Sequence, residues 1–255
     1  MPRVARLLLS AFLIASLTPS IVRADRRYFV RSYTPYLAPA GTLELELWTT
    51  ALSGQGDSTN TAWKNRAEFE YAITDRLTGA AYLNFVQSGA EESALRFDGP
   101  SWELIYRLAE RGRLAVDPAA YLEVRANGNE VEIEPKLLLA RRDHRLVSVV
   151  NVIGEFELLQ GLSTEKNLEL TCGLSHEFGP VVALGVEARY RRAFEEAGED
   201  PTLFAVGPTL NLQTAKIQVS IGWQPQISGS PATSGGLNVS DFARSELRFL
   251  LGVDL

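Results

Sequence analysis

Residues 66–85, R-A-E-F-E-Y-A-I-T-D-R-L-T-G-A-A-Y-L-N-F, decide how the rest of the chain is read. Ala67, Phe69, Tyr71 and Ile73 alternate with Arg66, Glu68 and Glu70. Successive side chains of a strand point to opposite faces, so this is a strand with one apolar and one charged face. Thr74, Asp75 and Arg76 then turn the chain, because Thr and Asp side chains bond their own backbone in place of a ladder. A second strand follows, with Leu83 and Phe85 on one face and Tyr82 and Asn84 on the other. Such hairpins, repeated to the C-terminus behind an export signal, make a barrel with its apolar face on lipid.

The alternation recurs at 42–52, 62–73, 77–87, 101–108, 119–126, 130–141, 145–158, 167–178, 181–194, 202–212, 216–226 and 241–255. This predicts an all-β transmembrane antiparallel barrel of about twelve strands over residues 42–255, each long enough for a tilted bilayer span. Long polar connections at 53–61, 88–99, 159–166, 195–201 and 228–240 follow odd-numbered strands. Tight turns at 74–76, 142–144, 179–180 and 213–215 follow even-numbered ones, with 110–118 a longer exception. Loops on one rim and turns on the other are the pattern of a membrane barrel, and an even strand count leaves both termini in the periplasm. An open edge is not tolerated in hydrocarbon, so the sheet must close. Pro135 and Pro208 fall inside strands and lack a ladder donor, which calls for a bulge or a rim position. Trp48, Trp63, Trp102, Trp223, Tyr71, Tyr106 and Phe249 are expected to supply aromatic girdles.

The 255-residue chain is 45% hydrophobic and 22% charged, with no run long enough for a helical span. Arg3 and Arg6 precede an apolar run from Leu7 to Leu17, and Val22-Arg23-Ala24 places small or modest residues before a cleavage point. Residues 1–24 therefore read as a signal peptide, too short in its apolar part to be an anchor. Its loss removes three arginines and no acid, deepening the formal charge from −6 to −9. That excludes the basic footprint of a nucleic-acid binder. Cys172 has no intrachain partner and reads as a small apolar residue on a lipid-facing edge. Residues 25–41, rich in aromatics and proline, form a separate N-terminal segment that either lies at the periplasmic rim or enters the lumen as a partial plug.

Three stretches carry a resemblance: 39–48 (P-A-G-T-L-E-L-E-L-W), 70–77 (E-Y-A-I-T-D-R-L) and 97–108 (F-D-G-P-S-W-E-L-I-Y-R-L). In them the chain resembles a group of poorly characterised bacterial outer-membrane β-barrels. That group is similar to transporters linked to meta-cleavage phenol degradation and, more distantly, to hydrocarbon channels. The resemblance implies fold and a cell outer membrane location, and only weakly a transport role.

The charged faces predict the lumen lining. Glu44, Glu46, Glu68, Glu70, Glu132, Glu134, Glu155 and Glu157 stand against Arg66, Arg107, Arg125, Lys136, Arg189, Arg191, Arg244 and Arg248. A narrow lumen cannot hold so many bare carboxylates, so interleaved Arg–Glu pairs are expected. Two outcomes stay open: a plugged barrel stiffened by salt bridges, or a narrow pore with charge rings that select small solutes. In the second, Glu68, Glu70, Glu132, Glu134, Arg189 and Arg191 shape selectivity.

An enzyme is the lesser reading, as is a soluble periplasmic β-protein. A lipid-modifying barrel needs a Ser–His pair at the outer rim, whereas His144 falls in a turn and Ser175 and His176 face opposite ways. No spacing suits zinc, and the acidic loop at 195–200 lacks the regular carboxylates of a calcium loop. No catalytic residue, cofactor or metal ligand is expected. The expected partners are outer-membrane lipid and lipopolysaccharide, the barrel-assembly machinery through the C-terminal strand, and a small solute.

Overall fold

Each alternating run becomes one strand of a sheet that curls until its edges meet. The computed structural model describes residues 26–56, 60–90, 93–128, 130–159, 165–195 and 198–255. The predicted signal peptide at 1–24 lies outside the described residues. Twelve strands appear among the described residues: β1 Leu43–Ser53, β2 Thr61–Thr74, β3 Leu77–Gln87, β4 Arg96–Arg107, β5 Asp117–Asn127 and β6 Glu130–Asp143. They continue with β7 Leu146–Leu159, β8 Glu165–Glu177, β9 Val182–Phe194, β10 Thr202–Gln213, β11 Ile217–Ser230 and β12 Ser245–Asp254. Each pairs antiparallel with its sequence neighbours, and β1 closes on β12 from Glu44↔Asp254 to Ser53↔Ser245. The barrel therefore has no open edge.

The outer surface is apolar. Phe69, Leu83, Trp102, Leu104, Leu137, Val150, Leu184 and Phe249 all stand exposed on it. A water-soluble monomer rarely shows an apolar patch of more than a few hundred Å², so this belt is built to face lipid. Trp63, Tyr71, Tyr106, Trp102, Trp223 and Phe249 point outward as expected. Trp48 does not: it is 7% exposed and packs inside the barrel. Its parity with Glu44 and Glu46 already put it on the inner face, and that register overrides any preference of an indole for headgroups. Cys172 is exposed on the outer face of β8, as its neighbours require.

Three strand limits differ by four or five residues from the sequence reading. β4 begins at Arg96 instead of 101, because Gly99, at φ +88°, bends the strand without ending it. The register against β3 shifts between Leu83 and Phe85, and a Cβ at Gly99 would lie 2.2 Å from the Ala126 carbonyl oxygen. β11 runs on to Ser230, and β12 starts at Ser245 instead of 241. Arg244 is therefore an exposed rim residue, bonded to Ser234 at 3.3 Å, and lines no lumen.

Pro135 and Pro208 both sit where the ladder lapses. Between β6 and β7 the pairing skips from Ile133↔Phe156 to Lys136↔Ile153, leaving Pro135 without a donor to supply. Between β10 and β11 it skips from Ala205↔Gln226 to Thr209↔Gly222, just below a register shift. There a Cβ on Gly207 would sit 1.6 Å from the Trp223 carbonyl oxygen. Gly207→Ala is therefore expected to cost about 1–3 kcal/mol through forced strand separation. The measurement is the denaturant midpoint of the heat-modifiable, folded band on gels. An unchanged midpoint would mean the two backbones do not touch.

Candidate functional site

The inner wall is set by strand parity. Glu44, Glu46 and Thr50 on β1, Lys64, Arg66, Glu68 and Glu70 on β2, and Glu132, Glu134 and Lys136 on β6 all take the inner face. So do Arg107, Arg125, Glu155, Glu157, Arg189, Arg191 and Arg248 on their strands. Parity also brings in acids outside the predicted lining: Glu103, Glu123, Glu169, Glu177, Glu187 and Glu246. The alternation alone could have found them, since each lies an even step from an inner residue of its strand.

The lumen is not open along its length: residues 26–40 enter it from the turn rim and return to that rim. The segment has no strand ladder of its own, so its backbone is bonded by side chains from the wall. Gln218 accepts from the Arg27 amide at 3.0 Å, and Glu187 accepts from the amides of Arg31 and Ser32 at 3.1 and 2.6 Å. Asn151 accepts from the Tyr33 amide at 2.7 Å and donates to the Tyr33 carbonyl at 3.0 Å. Ser220 donates to the Arg27 carbonyl at 2.6 Å, and Arg248 to that of Val30 at 2.9 Å. A buried backbone without such partners would be costly.

Side chains complete the seating. Arg27 meets Glu46 at 3.2 Å and Glu70 at 3.7 Å, Arg31 pairs with Glu246, and Tyr28 donates to Glu177 at 2.6 Å. Two apolar clusters form inside the barrel. Tyr28, Phe29 and Tyr36 pack on Ala140, Val147, Val149 and Ala183, while Tyr33 packs with Trp48, Ile105, Tyr121, Leu138 and Leu250. The lumen thus holds the core that a soluble protein keeps between layers. Gly173 and Gly222 make room for it: a Cβ at either would lie 2.4 Å from Phe29 or Val30 respectively.

The segment lies between two cavities of the lumen that share no lining residue among the described residues. The one toward the rim of long connections has a volume of about 450 Å³, with Arg31, Tyr33 and Trp48 at its floor. The one toward the turn rim, about 540 Å³, is bounded by Arg26, Tyr28, Tyr36, Arg111, Arg142 and Glu177 among others.

Most charges in the first cavity are neutralised in pairs. Arg66 meets Glu123 at 3.0 Å, and Arg125 meets Asp98, Glu130 and Glu132 at 3.0, 2.7 and 2.6 Å. Lys136 meets Glu134 at 2.7 Å, while its ammonium also lies 3.9 Å from the Tyr121 ring centroid. Arg189 is shared by Glu169 and Glu246, each at 2.8 Å, and Arg191 meets Glu155 at 2.6 Å. Arg107 lies at the other end, beside Glu110 at 3.2 Å. Two cations of the first cavity are different. Among the described residues Lys64 has no carboxylate partner, and Arg248 bonds only neutral oxygens, Thr50 Oγ1 at 2.8 Å and the Val30 carbonyl. Both flank Thr50 in register, one on each side of β1.

The rims carry exposed pairs of a different kind. A hydrogen bond from Arg76 holds the Glu110 carboxyl below its ordinary range, and Arg192, with the Glu195 amide, does the same for Asp200. The acidic loop at 195–200 thus closes on its own arginine, with 196–197 outside the described residues. The histidines give no catalytic grouping: His144 is exposed in a turn, and Ser175 faces inward while His176 faces out.

Residues 129–255, from β6 onward, match a family of unknown function, DUF6662. No curated protein matches this sequence. Among solved structures, the COG4313 outer membrane channel from Pseudomonas putida F1 aligns with a TM-score of 0.63 at 11% identity, over 89% of this chain and 100% of that one. The fold is that of an outer-membrane β-barrel. The NanC porin aligns at 0.59 and 11% identity, over 83% of this chain and 100% of its own. The KdgM porin in complex with disordered oligogalacturonate aligns at 0.54 and 8% identity, over 83% and 99%. Identities this low tie the likeness to architecture alone.

The seating of the segment is testable. Leucine at Gly222 would occupy the place of Val30. Gly222→Leu is expected to leave a folded, heat-modifiable barrel in which trypsin cleaves after Arg26, Arg27 or Arg31, sites protected in the parent. Continued protection would show that the segment is not held by this contact.

Proposed function

We propose that the chain is an outer-membrane channel for small organic anions, occluded between its two vestibules by its own N-terminal segment. The observation that carries the solute class is the pair Lys64 and Arg248, the cations of the loop-side vestibule that no carboxylate neutralises among the described residues. An anion entering a narrow lumen loses hydration, and a wall cation without a partner is what offsets that loss. A vestibule of about 450 Å³ suits a solute of small-molecule size. Its floor presents the rings of Tyr33 and Trp48, stacked at 6.4 Å, as an apolar face beside those cations. An aromatic carboxylate fits both features. The resemblance of residues 39–48, 70–77 and 97–108 to transporters linked to meta-cleavage phenol degradation supports the same class of solute.

In this reading the loop rim faces the cell exterior, lipid and lipopolysaccharide surround the apolar belt, and β12 is the strand offered to the barrel-assembly machinery. A second reading, a closed structural barrel, is favoured by the number of side chains that hold the segment. Planar-bilayer recordings separate the two. The channel reading expects small or infrequent openings from the parent and a larger conductance from Gly222→Leu. Under a salt gradient the current should be anion-selective, and Lys64→Glu combined with Arg248→Gln should reverse the sign of the reversal potential. Silence from both parent and Gly222→Leu favours the closed barrel. Conductance with an unmoved reversal potential removes Lys64 and Arg248 from the solute path.

A further inference from the structure

The inner face of β2, β3 and β4 gathers buried oxygen atoms that the pairing scheme of the lumen leaves out. Glu68, Glu70 and Glu103 each present a carboxylate oxygen, and these lie within 4.8 Å of one another. Register explains the approach. Glu70 and Glu103 are both opposite Ala80, whose methyl group leaves the space between them open. Glu68 is 0% exposed and Glu103 2% exposed. Neither oxygen of Glu68 has a hydrogen-bond partner among the described residues, and one oxygen of Glu103 lacks one too. The other accepts from the Tyr121 hydroxyl at 2.7 Å.

A separate observation points the same way. Thr78 and Tyr82 flank Ala80 on the inner side of β3, the strand between the carboxylates. Their hydroxyls are buried and also without a partner among the described residues. Arg27 is the cation at the edge of this group, and it already serves Glu46 while reaching Glu70 at 3.7 Å. The other acidic triplets of the lumen, Glu130 with Glu132 and Glu157, and Glu132 with Glu134 and Glu155, hold Arg125, Lys136 or Arg191 in contact. The β2–β4 triplet is set apart by three carboxylate oxygens, two of Glu68 and one of Glu103, that have no hydrogen-bond partner among the described residues.

Three buried carboxylates with so few donors cannot all stay ionised unless something positive sits among them. Oxygen donors without His or Cys select a hard cation, and clustered carboxylates with nearby hydroxyls suit calcium, with its flexible coordination, better than magnesium. We propose that Glu68, Glu70 and Glu103 bind a calcium-class divalent cation in the barrel wall beside the N-terminal segment, with Tyr82 and Thr78 as neighbouring oxygen donors. Because Glu70 is shared with Arg27, the ion and the segment draw on the same carboxylate, so occupancy and seating are linked. The site stands independently of the channel reading.

The test uses the mature, full-length barrel in detergent after chelator treatment. Terbium(III), a calcium surrogate, is titrated with excitation of tyrosine and emission read from the metal, and calcium is added as competitor. One saturable site, displaced by calcium, is expected, with calcium also raising the thermal midpoint. Glu103→Gln should weaken binding by ~10-fold or more, Glu68→Gln likewise, and Glu130→Gln in the other triplet should leave it unchanged. If Glu68→Gln fails to fold, the parent titration and Glu103→Gln decide. A parent with no saturable terbium signal and no calcium-dependent midpoint overturns the proposal and leaves protonated carboxyls as the explanation. Equal loss of binding in Glu130→Gln overturns the assignment to these residues.

Discussion

In hydrocarbon an unpaired backbone amide costs several kcal/mol, and that penalty governs every level of this molecule. It forbids an open edge, so β1 must find β12, and it forces each strand to keep its register around the whole circuit. Register in turn decides which side chains face lipid and which face inward, because the side-chain period of a strand is two. The apolar belt and the charged lumen are therefore two faces of one constraint. Where the ladder lapses, at Pro135 and beside Gly207, the chain uses residues that either have no N–H to pair or leave room for a close backbone.

The interior solves a second problem by the same means. Closing a twelve-stranded sheet leaves more space than inward side chains fill. The N-terminal segment takes up that space and brings aromatic rings for the inner apolar residues to pack against. Its amides and carbonyls would be orphaned in any other lumen, but here Gln218, Glu187, Asn151, Ser220 and Arg248 meet them one by one. What remains open are two vestibules with mostly self-neutralised charge, and in the first of them Lys64 and Arg248 meet no carboxylate among the described residues.

The strand count, the closure of the sheet and the inward set of charges were all legible in the sequence, because a period of two is a strong local signal. Rarer cues misled where they conflicted with that period. Trp48 was read by residue type as a girdle aromatic although its neighbours Glu44 and Glu46 fix it inside. Gly99-Pro100 looked like a strand boundary, yet the glycine makes a bend that the strand survives. Arg244 shares the parity of Arg248 but precedes the strand, and parity has no meaning outside a ladder. The route of residues 26–40 was not legible, since a segment bonded by distant side chains carries no period of its own. Nor was the choice of ion partners, which depends on which inner residues meet across the bore.

The last strand touches the first residues. Arg248 and Glu246 of β12 bond Val30 and Arg31, and Gln218 and Gly222 of β11 seat Arg27 and Val30. The stretch that precedes β1 is thus seated by the last two strands of the sheet. The contacts that block the bore thus also tie the segment before β1 to the strand that closes the sheet.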